Sequence, residues 1–177
     1  AAADIALSAE EIAALDAAVD DTIAAVLVEP VQGFNGARAC TPEFLQAARQ
    51  LCDARGAKLL FDEVQCGTGR TGWFTAAEAF GVVPDALSMA KGLAAGLPIG
   101  AVLAADSLVD DIAIGDLGST FGGGPVPCAA ALTNLEVIDR EGLLDNVRRV
   151  SAMVIERTGA IPAVRQVNGR GFLLGLE

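Results

Sequence analysis

Short apolar runs alternate with stretches of helical periodicity along most of this chain. Ser8 opens Ser-Ala-Glu-Glu with Glu11 three residues on, the arrangement of a capping box. Ile12, Leu15 and Val19 follow at helical spacing, so residues 9–20 predict an amphipathic helix. Residues 24–31, AAVLVEPV, form an apolar run stopped at Pro30, the pattern of a strand buried on both faces. Thr41-Pro42 supplies an N-cap and a proline suited to the first helical position. Phe44, Leu45, Ala48, Leu51 and Cys52 then share one face until Gly56 stops the helix. Residues 57–64, AKLLFDEV, predict the next buried strand, and 85–90 and 99–104 two more, with a short helix before them. Helices follow from about Pro127 to Asp139 and from Leu143 to about Arg157, and 171–176 ends the chain as a strand. No internal repeat, low-complexity tract or linker interrupts this order. The alternation predicts an α/β fold with a mostly parallel sheet and flanking helices. Ligands bind such sheets at the carboxyl ends of the strands, which points to Glu29 through Gly36, Asp62 through Gln65, and Lys91.

Composition narrows the function classes. The 177 residues suit one domain or slightly more. A hydrophobic share of 53% against 20% charged suits a buried core, and no apolar run reaches the ~18 residues of a membrane span. The net charge of −11 argues against nucleic acid and anionic membranes as partners. The lack of histidine removes Ser-His-Asp and Cys-His catalysis and most catalytic zinc sites, so no metal is expected. Cys40, Cys52, Cys66 and Cys128 show no C-x-x-C spacing and read as scattered reduced thiols of a cytoplasmic protein. No signal peptide is visible, although the chain opens at AAAD rather than methionine.

FDEVQCGTGRTG, Phe61 to Gly72, allows two functional readings. Its tail fits G-x-G-x-x-G, the glycine pattern of a dinucleotide-binding turn. In such a turn the first glycine directly follows the strand, whereas five residues, Asp62 to Cys66, intervene before Gly67. The acid expected at the end of the next strand is matched only by Asp85, which precedes its strand, and the Asp62-Glu63 pair would repel a pyrophosphate. The other reading joins Asp62 to Lys91, 29 residues later and at the end of the next parallel strand. An acid and a lysine on one cleft floor suit a pyridoxal phosphate enzyme: the lysine forms a Schiff base and the acid keeps the ring nitrogen protonated. On spacing alone, a plain ion pair at a helix cap is the favoured reading of the two.

Four ordered blocks carry a resemblance that bears on this choice: EPVQG at 29–33, FDEVQCGTGRTG at 61–72, PDALSMAKGLAAGLPIGAV at 84–102 and GSTFGGGP at 118–125. From about Ala24 to Leu176 the chain resembles a class III, fold-type I, pyridoxal-phosphate-dependent aminotransferase of the group holding acetylornithine and ornithine aminotransferases. The resemblance implies an enzyme moving an amino group from an amino acid or related primary amine to a 2-oxo acid, with pyridoxal 5'-phosphate as cofactor. It implies that Lys91 is the Schiff-base lysine and Asp62 the partner of the pyridine nitrogen. Glu63, Val64 and Gln65 fall with Asp62 in the cofactor-binding set, Val64 packing on the ring and Gln65 bonding its hydroxyl. Ser119 lies beside substrate, and Thr120 reaches the cofactor phosphate of the partner in a homodimer. GTGRTG becomes a turn shaping the wall near the dimer interface. Residues 1–138 correspond to the C-terminal half of the large cofactor-binding domain and 139–177 to the start of the small one.

The resemblance has departures. Ornithine- and acetylornithine-type enzymes carry an acid after EPVQG that can pair with a substrate-gating arginine; here Phe34 stands there, followed by Asn35. Leu117 precedes GSTFGG where many relatives have histidine, and GGGP, with Gly124, replaces the commoner GGNP. The chain is also shorter than the family. It lacks the loop that grips the cofactor phosphate, the aromatic that stacks on the ring, and the arginine that binds substrate carboxylate. The isolated piece is therefore expected to bind cofactor weakly and not to turn over. An aminomutase or decarboxylase of the same fold, or a truncated non-catalytic paralogue, are the alternatives.

Overall fold

The computed structural model describes residues 9–110 and 112–177. In chain order the elements begin with α1 (Ala9–Ala18), β1 (Ala25–Val28), β2 (Val31–Gln32), β3 (Arg38–Ala39), α2 (Pro42–Arg55) and β4 (Lys58–Asp62). They continue with α3 (Ala76–Phe80), β5 (Ala86–Met89), β6 (Ala101–Ala104), α4 (Asp106–Val109), α5 (Pro125–Arg140), α6 (Leu143–Gly159), β7 (Val167–Arg170) and β8 (Leu173–Leu176). The main sheet has the order β1-β4-β5-β6; β1, β4 and β5 run parallel and β6 runs antiparallel to β5. The expected mostly parallel sheet with flanking helices is therefore present. Among the described residues no helix is long and apolar enough to cross a membrane.

Local signals account for the helix boundaries. Thr41 Oγ1 accepts the Phe44 N–H at 3.2 Å, Pro42 occupies the first turn, and Gly56 ends α2 in the left-handed region. Thr75 and Glu78 form a reciprocal capping box on α3. The expected cap at Ser8 lies outside the described residues, but Leu15 and Val19 of the first helical face do turn inward.

One face of the sheet is covered. Leu59 and Phe61 of β4 pack with Leu45, Ala48 and Cys52 of α2 and with Ala76, Ala77 and Phe80 of α3. A partly buried ion pair ties these layers together. Asp85 accepts from Arg49 at 2.8 Å and from the Leu59 N–H at 2.7 Å. Burial alone would raise the Asp85 carboxyl, but these donors and the guanidinium hold it below the usual carboxylate range. Asp85 therefore serves the amino end of β5, opposite the end where ligands bind.

Among the described residues the other face is largely open, so the expected burial of the first strand on both faces is not seen within this chain. Leu27 is 67% exposed because, among the described residues, β1 is a sheet edge with no layer over its outer face. Val102 of β6, at the opposite edge, is 72% exposed for the same reason. The strand expected at 57–64 ends at Asp62, and α5 begins at Pro125 rather than Pro127, since Pro125 itself fits the first turn. The final strand is one half of a hairpin: β7, not foreseen, pairs antiparallel with β8.

Candidate functional site

Strand alternation sends Asp62 to the open face and its neighbours Phe61 and Glu63 to the covered one. Asp62 Oδ1 accepts the Val64 N–H at 3.0 Å and the Ser88 hydroxyl at 3.1 Å, and Ser88 is its register partner on β5. Lys91 follows three residues after Ser88, where the chain leaves β5 through a 3₁₀ turn, Lys91–Ala94. The parallel pairing of β4 and β5 thus brings Asp62 and Lys91 to the same end of the sheet. Lys91 holds φ +44, a left-handed conformation costly for any residue with a Cβ. Asn134 of α5 fixes this turn by donating to the Gly92 and Leu93 carbonyls at 2.9 and 3.1 Å.

Glu63 is 1% exposed, and its two carboxylate oxygens accept the Ala76 and Ala77 N–H groups at 2.6 and 2.9 Å, at the start of α3. Burial pushes its carboxyl up, against the opposing pull of those two donors. Its side chain is therefore committed to the helix on the covered side, away from the face of Asp62. Beside it, burial and the Glu63 carboxylate push the Cys66 thiol up to about 12, so this sulfur stays protonated at neutral pH. Val64 and Gln65 are partly buried in the turn that follows β4. Gln65 lies under Gly33 of EPVQG so closely that any side chain at 33 would collide with its amide.

Four of the six N–H groups of GTGRTG are turned inward rather than offered to a pyrophosphate. The N–H groups of Gly67, Gly69, Arg70 and Gly72 all donate to carbonyls between Glu63 and Phe74. Gly69 and Gly72 have positive φ and lie against Leu144 and Arg148 of α6, and Arg148 donates to the Gly72 carbonyl. The Phe172 N–H donates to Arg70 O at 2.9 Å, so the turn also seats the β7–β8 hairpin. The glycines serve close backbone approach to α6 and the hairpin.

Ser119 and Thr120 are not brought to Asp62 and Lys91 within this chain by any hydrogen bond. Both are exposed, and Ser119 Oγ accepts the Gly122 N–H at 2.9 Å. Their neighbours Ile114, Leu117 and Phe121 are 108%, 74% and 92% exposed. An open cavity of ≈ 610 Å³ has Asp62 at its rim, but it wraps the free edge of β1 and Lys91 does not line it. It is space at a strand edge left unpaired among the described residues, rather than the floor between the two residues. Sequence reasoning missed Ser88 and Asn134. Ser88 was accessible from parallel registration with Asp62; Asn134 carried no signal.

The site chemistry fits a pyridoxal phosphate ring: a primary amine, a half-free carboxylate on an open face, and an amide behind a glycine. Residues 2–177 match the family model described as Aminotransferase class-III. The mitochondrial acetylornithine aminotransferase of Alnus glutinosa is 49% identical over 159 residues, 88% of this chain and 35% of that protein. The acetylornithine aminotransferase of Streptomyces coelicolor is 48% identical over 167 residues, 92% of this chain and 41% of that one. The structure of the ornithine aminotransferase from Toxoplasma gondii superposes with a TM-score of 0.88 at 37% identity, covering 97% of this chain and 42% of that chain. The chain thus spans well under half the length of these relatives.

Proposed function

The chain belongs to the class-III aminotransferase family, and from that premise we propose that the whole protein is a pyridoxal-phosphate-dependent aminotransferase. It moves an amino group from an acetylornithine- or ornithine-like amine to a 2-oxo acid. The observation that carries this reading is the convergence of Asp62 and Lys91 at the ends of adjacent parallel strands, with Ser88 bracing the acid. Bound pyridoxal phosphate supplies a cationic ring that draws electrons from the substrate carbon.

Lys91 Nζ would hold the cofactor at its aldehyde carbon, and the same amine would serve as the base that takes the proton from the donor's amine-bearing carbon and as the acid that returns it to the cofactor's carbon. The Asp62 carboxylate, with Oδ1 steadied by Val64 and Ser88, keeps the proton on the ring nitrogen. Val64 packs on the ring and Gln65 bonds its hydroxyl oxygen. Glu63 acts one layer behind, by pinning α3 to the end of β4. Ser119 meets substrate, and Thr120 reaches the phosphate held by a second copy. The test is an assay of the whole protein with acetylornithine or ornithine and 2-oxoglutarate, alongside sedimentation. Glutamate formation by a dimer is expected; no amino transfer to any 2-oxo acid sinks the reading.

Gly33→Ala isolates the Gln65 contribution. The added methyl meets the end of a flexible side chain, which can swing away. Folding stability is expected to change by less than about 1 kcal/mol, as for most sites without backbone clash. Cofactor affinity is expected to fall about tenfold, the loss of roughly one hydrogen bond, and to match that of Gln65→Ala. Titration of both variants with pyridoxal phosphate checks this; unchanged affinity in either removes Gln65 from the site.

A further inference from the structure

The backbone of Lys91 is held against its own preference. Its φ of +44 puts a residue with a Cβ in the left-handed region, and Ala95, at the other end of the turn, stands at +51. Leu93 and Ala94 are buried with Met89 and Ala131, which anchors the middle of the turn, while Lys91 itself is exposed. Inside the turn the Leu93 N–H donates to Ala90 O at 3.0 Å and the Ala95 N–H to Gly92 O at 3.3 Å. The two carbonyls that follow Lys91, those of Gly92 and Leu93, are both gripped from outside by Asn134 Nδ2, at 2.9 and 3.1 Å.

Rotation about the Lys91 N–Cα bond decides where its side chain points. Relaxing φ from +44 to an ordinary value of about −60 swings Cβ through about 100° around that bond. In the held conformation Nζ stands 6.0 Å from the centroid of the Phe34 ring, on the turn after β2. In the order β1-β4-β5 that turn and Lys91 flank β4 from opposite sides, so the amine and the ring meet over the end of β4, the strand that Asp62 closes. Resting on the amino-transfer reading, we propose that Asn134 is a positioning residue for the lysine: its amide holds the turn in the left-handed form that aims Nζ across the end of β4. The contacts of Asn134 are with the backbone one and two residues beyond the lysine, so it acts through the turn. The place calls for an amide. Both partners are carbonyl oxygens, so the side chain must present hydrogens, and a carboxylate of the same shape would be repelled by both.

The test compares Asn134→Ala and the isosteric Asn134→Asp in the whole protein. The first readout is amide hydrogen exchange without cofactor. The Leu93, Ala95 and Leu97 N–H groups, all bonded within or just beyond the turn, are expected to exchange about tenfold faster in both variants, the loss of about one net hydrogen bond, with exchange elsewhere unchanged. The second readout is the rate at which pyridoxal phosphate is captured and fixed. Lys91 Nζ bonds to the aldehyde carbon, the carbonyl oxygen leaves as water, and hydride from added borohydride leaves a secondary amine that peptide mass spectrometry reads. Labelling is expected to slow about tenfold in Asn134→Ala and further in Asn134→Asp. Toward acid pH the ratio of Asn134→Asp to wild type should rise, because the protonated carboxyl regains a hydrogen to donate. In turnover, kcat should fall with the labelling rate while the donor KM moves by less than about twofold. A side chain that merely fills space would leave Asn134→Asp close to wild type and impair only Asn134→Ala, and that order overturns the proposal. Faster exchange in the turn with labelling unchanged overturns it as well, and so does slower labelling with exchange in the turn unchanged. Absence of amino transfer by the wild type would count against the amino-transfer reading, while exchange and labelling would still decide the role of Asn134.

Discussion

Replacing Lys91 with alanine is expected to abolish amino transfer in the whole protein, by about 10⁴-fold or more in kcat. The proposed roles of covalent anchor and proton carrier both end on one nitrogen, and the second alone contributes roughly 10²–10⁴-fold. Borohydride reduction of the holoenzyme should fix cofactor mass on the peptide containing Lys91 and on no other peptide. Near-normal turnover in Lys91→Ala would end the assignment. A second measurement on the same residue separates chemistry from folding. Lys91 sits at φ +44, where alanine keeps the steric conflict and glycine has none. Lys91→Gly is therefore expected to be more stable than Lys91→Ala by about 1 kcal/mol in urea, although both are inactive. The reverse order would show that the turn relaxes when the lysine is removed.

Truncating Glu63 should be the most damaging single change to the fold around the site. Glu63→Ala leaves the Ala76 and Ala77 N–H groups without their acceptor in a region where both alanines are buried, and opens a cavity behind Asp62. Two orphaned donors and the void together are expected to cost about 3–5 kcal/mol in denaturant unfolding. Glu63→Gln keeps one acceptor and turns an amide NH₂ toward the other donor, so a cost of about 1–2 kcal/mol is expected. The pH dependence has a definite sign. The folded carboxyl of Glu63 is raised, so its contribution is fully present below the unfolded value and is lost as pH rises through the raised folded value. The stability advantage of wild type over Glu63→Gln should therefore shrink from acid toward neutral pH. An advantage that grows over that window would mean that the two backbone donors outweigh burial.

The helices announced themselves through local chemistry. Thr41-Pro42 with Gly56 bounded α2, and the alternation of apolar runs with helical periods predicted the parallel arrangement of β1, β4 and β5. Asp62 and Lys91 were legible because each directly follows an apolar run, and parallel neighbours bring such positions together. The rejection of GTGRTG as a dinucleotide turn was also legible, from the five residues between strand and glycine; the structure adds where its N–H groups go.

Hydrophobic period, caps and turn residues by themselves determined that this chain is α/β and that an acid and a lysine end neighbouring strands, because these are properties of a few consecutive residues. Tertiary structure alone decided the rest. The antiparallel direction of β6 and the β7–β8 hairpin depend on strand pairing, which a four-residue run does not encode in either direction. Period-2 alternation separates Asp62 from Glu63, but only the packing of α2 and α3 on one face decides which of the two is buried at a helix end and which stays open. Asn134 is 43 residues from Lys91 and holds its turn only because α5 folds back across it. Phe34 and Lys91 are still further apart in sequence, and the ring faces the amine because β2, β3 and the distant Gly175 fix the turn between them.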